Sequence, residues 1–248
     1  MNVIYILWLR QLKRYFRSKS RIIGALGQPL LFLFALGFGF GPVFEQAGEG
    51  DYLQFLVPGI IAMSILFTSM FNGIEIIWDR QFGFLKETMV APVSRVHIML
   101  GRTLGGASVA IFQGLIILAI SLLIGFRFAN PSGLPVALLF MFLIALLFTA
   151  LGTAIASLME DMHGFQLIMN FLVMPLFFLS GALFPIGNLP AVVGTLVKLN
   201  PLSYGVDGLR GTLIGVFELG LLTNITVLAA CGLFFVVIGA FLFSRIEV

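Results

Sequence analysis

Six stretches of this sequence run for twenty residues or more without a single Asp, Glu, Lys or Arg, and no other feature constrains the fold as strongly: residues 22–44, 52–74, 103–126, 134–159, 164–184 and 221–244. A helix needs roughly 20 mainly apolar residues to cross about 30 Å of hydrocarbon at about 1.5 Å per residue. Each stretch is therefore read as a transmembrane helix, and the chain as an all-α, polytopic membrane protein. Composition agrees, since 60% of the 248 residues are hydrophobic and only 10% charged, which is more apolar surface than a soluble domain buries. Soluble globular, disordered and fibrous classes are excluded. Pro29, Pro58 and Pro175 inside spans one, two and five predict local kinks. The first span is longer than the apolar core of a cleavable signal and follows twenty-one residues of structured-looking sequence, so it is expected to stay in the mature protein.

Orientation follows from the basic residues. Arg10, Lys13, Arg14, Arg17, Lys19, Arg21, Arg80, Lys86, Arg95, Arg102 and Arg245 fall on one side, and Arg127, Lys198 and Arg210 on the other. The positive-inside rule then places both termini in the cytoplasm of a multi-pass protein of the cytoplasmic (plasma) membrane.

Four regions lie outside the spans. Residues 1–21 alternate Ile4, Leu7, Trp8, Leu12, Tyr15 and Phe16 with a basic set at helical spacing, which predicts an amphipathic interfacial helix on the inner leaflet that can also touch a cytoplasmic partner. The loop 75–102 mixes charges of both signs with Phe82, Phe84, Leu85 and Met89, which fit one apolar patch on a short helix ending near Ala91, before Pro92. Such a helix suits docking into a partner's groove, or rests on headgroups. The turn after span four carries the acidic pair Glu160 and Asp161 with His163, read as solvated turn chemistry rather than a cation site. Residues 185–220, punctuated by Pro185, Pro190 and Pro201, are too long and too apolar for a solvent loop. They predict an outer re-entrant helical segment between spans five and six, with Asp207 and Arg210 spaced to pair and fix it as a structural lid, or else to contact departing substrate directly.

Several chemistries lack their residues. No span carries the acid, His or Lys that ion-coupled carriers use as relays. None of the four Lys stands in a phosphate-binding loop, and GFGFG at residues 37–41 has no preceding strand, so it reads as close helix packing. Two His and one Cys, Cys231, supply too little for a zinc or hydrolase centre. Small residues four apart, such as Gly101 with Gly105, Gly152 with Ala156 and Gly211 with Gly215, allow tight helix contacts. The sequon at Asn224 abuts a span, too close to the membrane to matter. A passive channel and a transporter driven by a separate subunit both survive.

LKETMVAPVSR at residues 85–95 with LGRTLGG at 100–106, FFLSGALFPIGNLP at 177–190 and NPLSYGVDGLRG at 200–211 resemble the membrane permeases of type-two ABC (ABC-2 type) transporters, especially the drug-resistance exporter branch. The resemblance covers nearly the whole chain in order and spacing. It implies a six-helix exporter domain over residues 22–248, a partner in two copies of a separate ABC ATPase, and a second permease copy completing a homodimer in the lipid bilayer, with no nucleic acid involved. This chain would then be no enzyme and bind no cofactor, ATP and Mg residing on the ATPase. The family's coupling helix maps to Phe82, Phe84, Leu85, Lys86, Glu87, Thr88 and Met89. Spans one, two and five of the family line the path, so Phe67, Phe71, Phe171, Met174, Phe177 and Phe178 are its candidates, and the outer segment contributes Asn200, Pro201, Tyr204, Asp207 and Arg210. The absence of charge at the midplane favours a drug-like or amphiphilic substrate. A polysaccharide or lipid-linked glycan exporter of the same family, or a non-coupled channel, is the alternative.

Overall fold

The computed structural model describes residues 3–46, 50–90, 93–129, 131–185 and 190–246. Among the described residues there are α-helices and no strands: α1 Val3–Arg17, α2 Lys19–Gln46, α3 Tyr52–Phe71, α4 Ile74–Gln81, α5 Phe84–Val90, α6 Arg95–Ile124, α7 Leu134–Ser157, α8 Met162–Phe178, α9 Ala191–Leu199, α10 Pro201–Ile214 and α11 Leu221–Ser244. Five helical segments are long and apolar enough to cross a membrane, and α8, at 17 residues, is a shorter apolar helix. The helices continue unbroken through Pro29, Pro58 and Pro175.

Three boundaries differ from the sequence reading. The second span does not end at Ile74: α4 prolongs α3 to Gln81 and takes Glu75 and Asp79 into the protein. The third begins at Arg95 rather than Thr103, so Arg102 lies within α6. The fifth ends at Phe178, where the chain turns through Leu179 and Ser180 to Gly181 at φ +72°. The extended span-two and span-three helices tolerate their charges because those charges meet one another.

Lipid tails are as apolar as leucine, so the bundle is held by close packing and polar contacts rather than by expulsion of water. Helix α3 is the central element and is buried from Leu56 to Leu66. It is crossed closely by α7 and by the turn after α8: a Cβ on Gly152 would sit 2.5 Å from the Met70 carbonyl oxygen, and one on Gly59 would sit 2.5 Å from that of Ala182. The GFGFG run is a different case. Only Gly37 meets a neighbour, Leu53 at 3.3 Å, while Gly39 and Gly41 face open space, so the run as a whole is not a packing seam. Helices α2, α8 and α11 are peripheral. On α8 the stripe Phe165, Met169, Val173 and Phe177 recurs every four residues and faces the core.

Candidate functional site

The face that carries the start of α1 and the end of α11 is built around α1. Leu7, Gln11 and Tyr15 form a stripe four residues apart that packs along α6. Gly101 and Gly105 let α1 approach closely, since Cβ atoms there would meet Ile4, Leu7 and Gln11. The Trp8 indole donates to the Ser108 hydroxyl at 2.9 Å, and the Tyr15 hydroxyl donates to the Gln113 side-chain carbonyl. Lys13 and Arg17 of its basic face stay exposed. Arg10 and Arg14 turn to α4, where Glu75 and Asp79 stand one turn apart, as the two arginines do on α1.

The result is a buried ion cluster. Arg10 meets both Asp79 oxygens at 3.0 and 3.2 Å, Arg102 of α6 donates to Asp79, and Arg14 lies 3.7 Å from both carboxylates. Arg21 of α2 pairs with Glu75 and reaches the Asn72 side-chain carbonyl at 3.4 Å. Glu75, Asp79 and Arg102 are only 2%, 5% and 3% exposed. Four guanidiniums thus share two carboxylates, and the cluster ties α1, α2, α4 and α6 together.

Helix α5 hangs from this cluster. Gly83, at φ +79°, makes the left-handed turn from α4 that a residue with a side chain would resist. Leu85 is buried, and the Arg10 guanidinium lies 3.7 Å over the Phe84 ring. Thr88 donates back to the Phe84 carbonyl at 2.9 Å, and Thr88 and Met89 are half-buried. Phe82, Lys86, Glu87 and Val90 are exposed. The four apolar residues expected to form one patch are therefore split: Leu85 is a root, Phe84 is covered by Arg10, and Phe82 stands free at 79% exposure. Beside α5, Arg95 donates to the carbonyls of Ser244 and Ile246 at 2.6 and 3.0 Å, and Lys86, Arg95 and Arg245 line a basic hollow of about 840 Å³. The turn after α7 is also used structurally. Glu160 pairs with Arg80 at 2.8 Å, and Asp161 caps α8 by accepting from the Gly164 N–H. That N–H and the one of His163 hold the Asp161 carboxyl below the usual carboxylate range. No group of three or more His, Cys, Asp or Glu poised for a metal exists among the described residues.

On the opposite face, α9 and α10 form the expected helical hairpin. Asn200 caps α10 by accepting from the Leu202 N–H at 3.0 Å and donates to the Leu176 carbonyl at 2.7 Å; Pro201 opens the helix. A Cβ on Gly205 would strike Ile144, ten residues along α7 from Leu134, so this part of α10 packs about 15 Å along α7 from its start. Tyr204 donates to the Lys198 carbonyl at 2.8 Å. Asp207 and Arg210 do not pair. Asp207 accepts from the N–H groups of Glu218 and Leu219 at 2.8 and 3.0 Å and from Asn224 at 2.7 Å, which also occupies the sequon's amide. Arg210 donates to the Gly181 carbonyl at 2.9 Å and lies 3.8 Å over the Phe55 ring. The hairpin is thus pinned to α3, α11 and the turn after α8 separately.

The six aromatic and methionine path candidates do not share one lining within a single copy. Phe67 and Phe71 stack with centroids 6.3 Å apart and line a cavity of about 300 Å³ between α2 and α3. Phe177 is in the core, edge-on to Phe32 at 5.8 Å. Phe171 is 83% exposed and Phe178 is exposed on the outer side of α8, with Met174 half-buried between the two sides. The helical period separates them, because Phe171 lies across the helix from the buried stripe.

The buried cluster is what sequence reasoning missed. Its signal was the shared four-residue spacing of Arg10 with Arg14 and of Glu75 with Asp79.

The family described as "ABC-2 type transporter" matches residues 2–214. Nodulation protein J of Rhizobium leguminosarum bv. trifolii is 30% identical over 213 residues, 85% of this chain and 78% of that one. The inner membrane transport permease YadH of Escherichia coli K12 is 28% identical over 224 residues, 90% of this chain and 87% of that one. The ycf38 protein of Cyanophora paradoxa, which carries a transport-permease name, is 28% identical over 214 residues, 84% of this chain and 72% of that one.

Proposed function

The chain belongs to the ABC-2 type transporter family as a multi-pass membrane permease, and on that premise we propose that it exports a drug-like or amphiphilic compound, driven by two copies of a separate ABC ATPase that bind ATP and Mg. Both termini face the cytoplasm in this reading. A second copy of the chain seats on the exposed apolar faces of α2 and α8, which carry Leu31, Phe34, Phe38, Leu167 and Phe171.

The observation that carries the reading is the arrangement of α5. Its root is buried at Leu85 while Phe82, just before it, and Lys86 and Glu87 project from the face that carries the start of α1 and the end of α11. A short, rooted helix with an exposed aromatic and charged tip suits a groove on a partner. Motion imposed on α5 passes through the contact of Phe84 with Arg10 into α1, and through the ion cluster into α2 and α6. A packed element of this kind moves as a body and can tilt the two permease copies about their interface.

The test is co-purification with candidate ATPases and measurement of their ATP hydrolysis. Phe82→Ala and Glu87→Ala are expected to weaken the complex about tenfold or more, as loss of an interface anchor does. Phe84→Ala is expected to leave assembly intact and to reduce ATP-driven transport, because it cuts the link to α1 and not the docking surface. Failure of every ATPase to bind a well-folded protein would overturn the energy-coupled reading.

A further inference from the structure

Where α1 turns into α2, three hollows join end to end. Outermost, a surface hollow of about 920 Å³ has only basic residues among its charged lining: Arg10, Lys13, Arg14, Arg17 and Lys19. It shares Arg14 and Ser18 with a cavity of about 380 Å³ that also carries Arg21, Glu75 and Trp78. That cavity in turn shares Arg21 and Phe71 with a slot of about 300 Å³ between α2 and α3, walled by Gly24, Ala25, Pro29 and Phe67 together with Tyr15, Gln28 and Thr68. Positive charge therefore gathers at the outer end of the groove, beside Tyr5, Ile6 and Leu9, and only Arg21 reaches the slot. The middle cavity and the slot, at about 380 and 300 Å³, each lie within the range of ordinary ligand sites.

We propose that this groove binds an anionic amphiphile, its headgroup on Arg14 and Arg21 and its apolar body in the slot between α2 and α3. Charge sets the sign. Glu75 is the sole acid in the lining of the middle cavity and is 2% exposed beneath Arg14 and Arg21. The two arginine side chains are 31% and 33% exposed, and Arg14 sits at a loose 3.7 Å from each carboxylate. Both can turn toward an added anion without abandoning Glu75. A carboxylate or phosphate gains charge-assisted hydrogen bonds there, whereas a cationic head meets five like charges at the mouth. Aromatic and small residues leave the slot able to take an alkyl chain or a flat ring. Exposure of the groove to lipid rests on the membrane permease reading; the ligand's charge and shape rest on the groove itself.

The chain has two tryptophans, Trp8 and Trp78, so Trp8→Phe leaves Trp78 as the reporter inside the groove. In phosphatidylcholine nanodiscs, a dodecyl phosphate brominated on the chain carbon beside its phosphate is expected to quench Trp78, which lines the headgroup cavity, saturably. The matching trimethylammonium compound should neither quench saturably nor compete. Arg21→Gln is expected to weaken the phosphate about tenfold. Because Arg21 also holds Glu75, the decisive variant is Gly24→Leu: a Cβ at Gly24 meets nothing within 4 Å, so the side chain enters the slot while every ion-pairing residue is kept, and saturable quenching should vanish from a folded protein. Equal binding of the cationic compound, or quenching unchanged in Gly24→Leu, would overturn the proposal. Displacement by phosphatidylglycerol would identify a resident lipid as the source, and ATP-dependent movement of the probe with the ATPase present would identify cargo; both outcomes support the site. Since quenching is read without an ATPase, its failure beside an intact ATPase complex would remove this groove alone and leave the permease reading standing.

Discussion

Asp79→Ala is expected to give a protein that melts far below the native chain in detergent and yields little monodisperse material. Asp79 is the partner of Arg102, which is 3% exposed and whose Nε and Nη1 have no hydrogen-bond partner among the described residues. Removing the carboxylate leaves a guanidinium with neither water nor a counter-charge. Breaking a buried pair from one side costs about 3–5 kcal/mol, a large share of a typical domain's stability. Arg10 adds less to that loss, since at 30% side-chain exposure it can turn to water. Arg80→Ala is the control: its partner Glu160 has a side chain 79% exposed, and pairs of that kind contribute about 0–1 kcal/mol. Combining Asp79→Ala with Arg102→Met should restore much of the melting temperature, because removing both partners leaves no stranded charge. A single variant that melts with the native chain, or a double variant no better than the single, would show that the cluster does not hold α1 in place.

That cluster also marks where the sequence could and could not be read. Apolar runs announce spans because lipid demands them, and the α9–α10 hairpin announced itself because 185–220 is too apolar for water yet broken by prolines. A hydropathy reading ends a span at its first charge, and so it closed the second span before Glu75. What it cannot see is that Arg10, 69 positions earlier than Asp79, neutralises the charge and lets the helix continue inward. The same limit applies to Asp207 and Arg210. Their spacing permits a pair on an isolated helix, but α10 is enclosed on nearly all sides, and nearer backbone donors and acceptors take each side chain. Phe171 and Phe177 make the complementary point. Both belong to one apolar run, and only the packing of α8 on α3 decides that one enters the core while the other is left outside.

Gly152→Leu is expected to prevent assembly of the bundle altogether, and Gly152→Ala to lower its melting temperature by an amount equivalent to about 1–3 kcal/mol. A Cβ at Gly152 would sit 2.5 Å from the carbonyl oxygen of Met70 and 3.1 Å from its Cα. These are main-chain atoms in the last turn of a buried helix, so no side chain can swing aside and α7 must back away from α3. In lipid nothing pulls the pair together again except the contacts that the separation has just removed. Gly39→Ala provides the contrast within the same class of residue: nothing lies within 4 Å of its Cβ, and alanine favours the helix by up to about 1 kcal/mol. Melting curves and size-exclusion profiles of the three variants separate tight from idle glycines, and equal behaviour of Gly152→Ala and Gly39→Ala would sink the argument. The crossing also has a mechanical consequence. Gly73, whose own Cβ would strike the Gly152 carbonyl, lies where α3 passes into α4, one turn before Glu75 and Asp79 meet α1. Backing α7 away from this point displaces both carboxylates, so Gly152→Ala should loosen α1 and reduce ATP-driven transport by more than its stability loss alone accounts for.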